Sequence, residues 1–276
     1  MKMKLRLFAT DLDHTLLVNG KIPEENKKAL EFLSQKGVNI CFVSGRNAAS
    51  VTYLANSLSF PVWCIATNGS IVKSPRGEIL YEKILPQQAL RELIRQTEER
   101  GYYYHFYDRD TFYATHLDLR RYRHLLVPTD TPQLGNFYSC GIYISEKWRT
   151  DTQGINALKF QCTIPEEDVR MEEQFRTIPE ISVTRSHTEL LEAMAKDVNK
   201  WAALEVLAGH LGIEAREICT CGDYYNDREM IQNAGIGIAM GNAPKDLRDE
   251  ADYVTADCEE YGLAKAIWAF EAKKFW

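Results

Sequence analysis

Asp11 and Asp13 stand two residues apart in the stretch Phe8-Ala9-Thr10-Asp11-Leu12-Asp13-His14-Thr15-Leu16-Leu17, after an apolar run from Leu5 to Ala9 broken only by Arg6. Strand-like alternation would put both carboxylates on one side of the chain. Two like charges at the end of a buried strand are costly unless a cation neutralises them or one is protonated. Chemistry explains the pair better than packing does, and the chemistry expected is a Mg²⁺ site with a nucleophilic aspartate. Other apolar runs also end in polar or small groups: Ser44-Gly45-Arg46, Thr67-Asn68-Gly69-Ser70, and Asp223 followed by Asn226 and Asp227. Three or four acidic groups in one crevice demand a hard cation, and oxygen ligands with retained waters suit Mg²⁺.

Such a set can transfer phosphorus. An aspartate that attacks a phosphoryl group forms an aspartyl-phosphate, which splits one hard displacement into two. Mg²⁺ would offset the repulsion between the carboxylate and the phosphoryl oxygens. Asp13 would protonate the leaving alcohol and then activate water. Ser44, with the amides at the start of the helix that follows it, suits phosphate, although Ser44 alone reads more readily as a helix N-cap, a role compatible with binding phosphate. Lys200, near the start of a helix from Asp197 to Leu211, would clamp the phosphoryl oxygens, whereas alone it reads as a solvated helix lysine. Lys196 is its nearest competitor. Asn68 also has a plain reading, a turn with Gly69.

These groups need elements to position them. Pro23 to Gly37 and Asn47 to Leu58 read as helices, and Val38 to Val43 and Val62 to Ala66 as buried strands. Strand, helix, strand, helix, strand with polar groups at the strand ends is the pattern of an open parallel sheet, whose crevice lies where those ends meet. Ile71 to Tyr81 reads as a hairpin leading away. The texture then changes: a helix over Pro86 to Arg100, aromatic strands turning at Asp108 to Asp110, strands over Ser139 to Ile144, Ala157 to Thr163 and Ile181 to Thr184, and a helix over Pro165 to Thr177. This predicts an α+β insertion with an antiparallel sheet. Parallel texture returns with Glu217 to Cys221, a short helix over Asp227 to Asn233, strands at Ile236 to Met240 and Ala251 to Thr255, and a final helix over Tyr261 to Lys274. The expected fold is α/β, a Rossmann-like parallel-sheet core over 1–82 and 186–276 split by an inserted cap over 83–185.

Composition is ordinary for a globular chain of 276 residues, 45% hydrophobic and 26% charged. A net charge of −6 argues against bulk attraction to nucleic acid or anionic membrane and favours small-molecule partners. No run of about 18 apolar residues suggests a membrane span, and the short N-terminal apolar segment ends in aspartates, unlike a signal peptide. Seven scattered cysteines suit reduced thiols in a cytoplasm. Cys219 and Cys221 read as strand residues facing one side, with no second pair to complete a metal site. Gly235, Gly237 and Gly241 lack dinucleotide-binding spacing.

Taken in order, Asp11-Leu-Asp-His-Thr-Leu-Leu, Val43-Ser44-Gly45-Arg46, Thr67-Asn68-Gly69-Ser70, Lys200 in Glu192-Ala-Met-Ala-Lys-Asp-Val-Asn-Lys-Trp-Ala-Ala-Leu, Gly222-Asp223-Tyr-Tyr-Asn226-Asp227-Arg-Glu-Met and Gly237-Ile-Ala-Met-Gly-Asn-Ala resemble the haloacid dehalogenase superfamily. Within it the chain is similar to the Cof-type phosphatases, whose cap (C2-type) is inserted between the second and third motifs. The resemblance implies Asp11 as nucleophile, Asp13 as acid/base, Ser44 as phosphate-binding hydroxyl and Lys200 as clamp, with Gly45, Arg46, Asn68, Gly69 and Asn226 around phosphate or substrate. The implied Mg²⁺ ligands are the Asp11 side chain, the Asp13 carbonyl and Asp223, with Asn226 and Asp227 supporting the metal or its waters. His14 stands where the family commonly has Gly, which tolerates unusual backbone angles better.

The expected activity is Mg²⁺-dependent hydrolysis of small phosphorylated metabolites such as sugar phosphates, nucleotides or phosphorylated cofactors, by a monomer or weak homo-oligomer. A phosphomutase of the same fold and a non-catalytic phospho-ligand sensor are the alternatives. His105, Arg109, His116, Arg120, Arg121 and Arg123 are possible substrate contacts from the cap.

Overall fold

The computed structural model describes residues 4–116, 126–127, 137–138 and 140–275. Arg120, Arg121 and Arg123 therefore lie outside the described residues, as does Ser139 at the start of one expected strand. In chain order the elements are β1 (Leu7–Thr10), α1 (Glu24–Gln35), β2 (Asn39–Val43), α2 (Ala48–Asn56), β3 (Val62–Ala66), β4 (Ile71–Lys73) and β5 (Ile79–Glu82). Then come α3 (Gln87–Arg100), β6 (Tyr104–Tyr107), β7 (Thr111–Ala114), β8 (Leu126–Val127), β9 (Phe137–Tyr138), β10 (Gly141–Ile144), β11 (Lys159–Thr163), α4 (Val169–Arg176), β12 (Ile181–His187) and β13 (Leu190–Ala195). The chain closes with α5 (Lys200–Leu211), β14 (Ile218–Gly222), α6 (Arg228–Asn233), β15 (Ile236–Ala239), α7 (Lys245–Glu250), β16 (Tyr253–Val254) and α8 (Gly262–Ala272).

The core sheet runs β16-β15-β14-β1-β2-β3-β4-β5, parallel from β16 to β3. Its central strands are apolar on both faces because helices cover both. Alternate residues divide cleanly. Phe8, Ile40 and Phe42 pack with Leu30, Leu33, Val51 and Ile267 on the side of α1, α2 and α8. Leu7, Ala9, Cys41 and Val43 pack with Trp201, Leu204 and Leu207 of α5 on the other. Burying a leucine of this kind contributes roughly 1.5–3 kcal/mol. Cys219 and Cys221 share one face of β14, both buried as free thiols, as expected.

The second sheet runs β10-β7-β6-β11-β13-β12 and is inserted after β5, giving the α/β core with an α+β cap. Its inner face packs on α3 and α4 through Leu90, Leu93, Phe160, Met171 and Phe175. Four expectations change. The hairpin of β4 and β5 stays with the core, adding two antiparallel strands to its edge instead of leading away. The cap sheet contains one parallel pair, β7 with β10, among antiparallel ones. The helix expected from Pro165 begins only at Val169, after the Asp168 cap. Finally, Leu190–Ala195 forms a strand between β11 and β12, so the boundary drawn at 185/186 falls inside a cap hairpin. Leu191 and Ala193 are buried in the cap core, which is why this strand cannot belong to the parallel sheet.

Candidate active site

The C-terminal ends of β1, β2, β3 and β14 converge where the parallel strands deliver their loops. Asp11 continues the ladder past β1, its amide donating to the Cys221 carbonyl at 2.9 Å. By alternation it falls on the α5 side with Leu7 and Ala9, and there it meets Lys200. Asp13 does not share that side: the strand ends at Thr10, and the amides of Leu16 and Leu17 turn back to the Leu12 carbonyl. The Asp13 side chain is 47% exposed and takes a bidentate fork from Arg46, Nε to Oδ2 at 2.7 Å and Nη2 to Oδ1 at 2.5 Å. The expected pairing on one face is thus replaced by two carboxylates with different cations, although both line one cavity of about 360 Å³. His14 adopts φ 58°, a left-handed conformation that favours Gly, and its carbonyl accepts from Asn242 Nδ2 at 3.0 Å.

Lys200 is the first residue of α5, behind the Asn199 cap, whose side chain accepts from the Ala202 amide. A cation at a helix N-terminus opposes the helix dipole, so its place there needs another cause. That cause is two carboxylates: Lys200 Nζ donates to Asp11 Oδ1 and to Asp227 Oδ1, both at 2.5 Å, with Lys200 only 1% exposed. The solvated-lysine reading fails, and Lys196 faces solvent beside Glu180 at 3.8 Å. Burial disfavours the Lys200 charge, but Asp11 and Asp227 outweigh it and hold its pKa above the ordinary value.

Carboxylates outnumber cations at this point. Asp11, Asp223 and Asp227 bring oxygens within 4.8 Å of one another, a set that could hold a divalent metal. Burial pushes Asp11 up to about 7, with Lys200 opposing and Asp227 and Asp13 adding repulsion. Asp223 is raised well above the carboxylate range by burial and by Asp11 and Asp227, against the hydrogen bond from Thr15 Oγ1 at 2.8 Å. Asp227 already uses both oxygens: Oδ1 takes Lys200, and Oδ2 accepts from the amides of Asp223 and Tyr224 at 2.9 and 3.1 Å. It braces the loop that carries Asp223.

Ser44 is buried and is no cap, since Asn47 caps α2 by accepting from the Ser50 amide at 2.8 Å. Its Oγ instead accepts from the Arg46 amide at 3.2 Å inside the loop. A Cβ on Gly45 would lie 2.9 Å from Asn68 Oδ1, and one on Gly69 would meet the Asn199 carbonyl at 2.3 Å, so both loops pack too closely for a side chain. Asn68 makes the expected turn at φ 55° and also works through its side chain. It accepts from Asn226 Nδ2 at 3.2 Å and donates to Glu192 Oε2 at 2.6 Å.

Glu192 and its partner Lys159 were missed by sequence reasoning. Lys159 Nζ donates to Glu192 Oε1 at 2.7 Å and to the Gly45 carbonyl at 2.5 Å, linking β11 and β13 of the cap to the phosphate-binding loop expected in the core. The only signal available was a charged residue at each of two apolar strands. Gln161, His187 and Tyr107 line the same cavity. Of the cap residues expected near substrate, His105 is buried among Tyr107 and Phe112, and Arg109 pairs with Glu82 at the surface. His116 packs edge-on against Tyr103.

This geometry has relatives. The sequence pattern of the haloacid dehalogenase-like hydrolases matches residues 8–267. The chain is 30% identical to the 5-amino-6-(5-phospho-D-ribitylamino)uracil phosphatase YcsE of Bacillus subtilis, covering 95% of this chain and 94% of that protein. It is 28% identical to the HMP-PP phosphatase of Cronobacter sakazakii, covering 94% and 93%. A solved haloacid dehalogenase-like hydrolase from Bacteroides thetaiotaomicron superposes with a TM-score of 0.80 at 27% identity, over 97% of this chain and all of that one. With the ordered motifs gathered at one end of the parallel sheet and the cap inserted where the Cof-type phosphatases carry theirs, the chain belongs to the haloacid dehalogenase-like hydrolases and is a phosphatase of that family.

Proposed function

We propose that the protein is a Mg²⁺-dependent phosphatase of small phosphorylated metabolites that works through an aspartyl-phosphate on Asp11. One observation carries this reading: three buried carboxylates meet a single buried lysine at the mouth of a parallel sheet, a surplus of negative charge that folding alone does not favour. The all-oxygen donor set of Asp11 and Asp223, with the Asp13 carbonyl, suits Mg²⁺. When bound, Mg²⁺ supplies the charge that lets an anionic nucleophile approach an anionic phosphoryl group.

The residues then divide the work. Asp11 attacks phosphorus, and the bond to the leaving oxygen breaks as Asp13 gives that oxygen a proton. Asp13 next takes a proton from water, which attacks the aspartyl-phosphate and releases inorganic phosphate, returning Asp11. Arg46 orients Asp13 through its fork and stabilises its ionised form between the two steps. Lys200 and the Ser44 hydroxyl face the developing charge on the phosphoryl oxygens. Asn68, Gly69, Gly45 and Asn226 hold the loops at the spacing this needs, and Asp227 fixes Lys200 and Asp223. The relatives named for a ribitylaminouracil phosphate and for HMP-PP support a small metabolite as substrate.

Release of phosphate from an aryl phosphate, with Mg²⁺ and with chelator, tests the reading. Activity is expected only with the metal, and Asp11→Asn is expected to lose on the order of 10⁴-fold in kcat. Equal activity of Asp11→Asn and wild type would sink the nucleophile assignment, and bisphosphate-dependent transfer with little free phosphate would favour a mutase.

A further inference from the structure

Resting on the phosphatase reading above, the cavity over Asp11 also carries information about what the phosphate leaves behind. Of the rings that line it, His187 and Tyr224 face each other from different parts of the molecule. His187 comes from the cap, at the end of β12, where a break in register between Arg185 and His187 re-aims the strand. Tyr224 comes from the core, one residue beyond Asp223. The two ring planes lie within 15° of parallel, with centroids 6.4 Å apart. A flat ring between two others needs about 3.5 Å to each, or about 7 Å in all. A small outward movement of the cap ring is enough to admit one.

The surroundings favour a flat guest with a polar edge. Tyr224 leans on Tyr225 at 4.9 Å, and Thr188 Oγ1 lies 3.2 Å from His187 Nδ1, so each ring is steadied from its own side of the cleft. Gln161 lines the cavity from β11; its carbonyl oxygen faces the Lys159 ammonium at 3.4 Å, which leaves the amide NH₂ to donate. A sugar carries hydroxyls around its whole rim and satisfies at best one ring face. A nitrogen heterocycle offers two apolar faces to the rings and in-plane acceptors to the amide.

We propose that the leaving group is a planar nitrogen heterocycle bearing its phosphate on a short arm, clamped between His187 of the cap and Tyr224 of the core. Because one ring sits on each body, the clamp forms only when the cap is closed, which ties recognition of the heterocycle to shielding of Asp11.

The test measures kcat/KM for Mg²⁺-dependent phosphate release from a hydroxymethylpyrimidine phosphate and pyridoxal 5′-phosphate, against glucose 6-phosphate and ribose 5-phosphate, with ring-free acetyl phosphate as reference. The heterocyclic esters are expected to lead the sugar phosphates by about tenfold or more. In His187→Leu and Tyr224→Leu that lead is expected to fall by a similar factor each, and in His187→Phe and Tyr224→Phe to return. Equal or better turnover of the sugar phosphates, or a Leu variant that lowers every substrate alike, overturns the clamp while acetyl phosphate turnover keeps the phosphatase standing. No turnover of any substrate, acetyl phosphate included, defeats both.

Discussion

Two buried lysines, one in the core and one in the cap, show how this molecule separates chemistry from architecture. Lys200 is surrounded by more carboxylate than it can neutralise, with Asp11 and Asp227 at 2.5 Å and Asp223 beside them. Lys159 has one carboxylate, Glu192, and the remaining hydrogen bonds of the pair go to the Gly45 carbonyl, the Gln161 side chain and Asn68. Both lysines are nine-tenths buried or more. A charge-balanced, fully bonded pair is a structural joint, whereas an unbalanced cluster waits for another cation. The difference lies in the count of charges, since burial is the same.

The comparison breaks most readily by removing each lysine. Lys200→Met is expected to lower kcat for an aryl phosphate at saturating Mg²⁺ by about 10²–10³-fold, the usual cost of losing one preorganised charge at a reacting group. A loss under tenfold would make Lys200 a brace and nothing more. Lys159→Met is expected to act on stability, costing about 3–5 kcal/mol in denaturant unfolding because Glu192 is left buried and unpaired. The double variant Lys159→Met with Glu192→Leu should recover much of that loss. If single and double variants unfold alike, the pair is not the joint described.

A finer distinction comes from pH. Asp11, unfolded near 3.8, sits at about 7 in the metal-free protein, chiefly through burial. The folded state then holds a proton that the unfolded state has released, so the stability it contributes is present below about pH 4 and lost as pH rises through 7. Thermal unfolding with chelator should therefore weaken across that window, and the stabilisation on adding Mg²⁺ should grow with pH up to about 7 and then level. A Mg²⁺ effect independent of pH between 5 and 8 would remove Asp11 from the metal set. The smallest effect belongs to the surface pair of Arg109 with Glu82: exposed to solvent, Arg109→Ala should change stability by less than about 1 kcal/mol. A larger value would mean that solvent screening does not separate the surface pairs from the two buried sites.

Legibility from sequence followed the same division. Asp11, Ser44 and Asp223 could be found because each sits where a run of apolar residues stops, and a parallel sheet gathers such stops at one edge, whereas Lys200, the first residue of α5, was found only by its register with the family motif. Local signals also located the ends of α2, α3 and α5 to within a few residues, though the N-cap before α5 came two residues after the expected start. The strand Leu190–Ala195 was harder. Glu192 inside it mimics a loop charge, and its bonds to Lys159, thirty-three residues earlier, and to Asn68 explain why a carboxylate tolerates that place. The Asp13 fork was invisible for a related reason: nothing in Asp11-Leu12-Asp13 reveals that the strand ends at Thr10 and sends the second carboxylate toward Arg46.

Sequence by itself determined the order of the motifs, the parallel core and the presence of an inserted second sheet, because apolar periodicity and strand-end residues are local properties of the chain. The tertiary structure alone decided which charges face each other. It put Lys200 between Asp11 and Asp227, Arg46 on Asp13, and Lys159 and Glu192 against the loops of the core. Those pairings depend on distances between residues far apart in the chain, and electrostatic energy depends on distance and burial, neither of which a linear sequence carries.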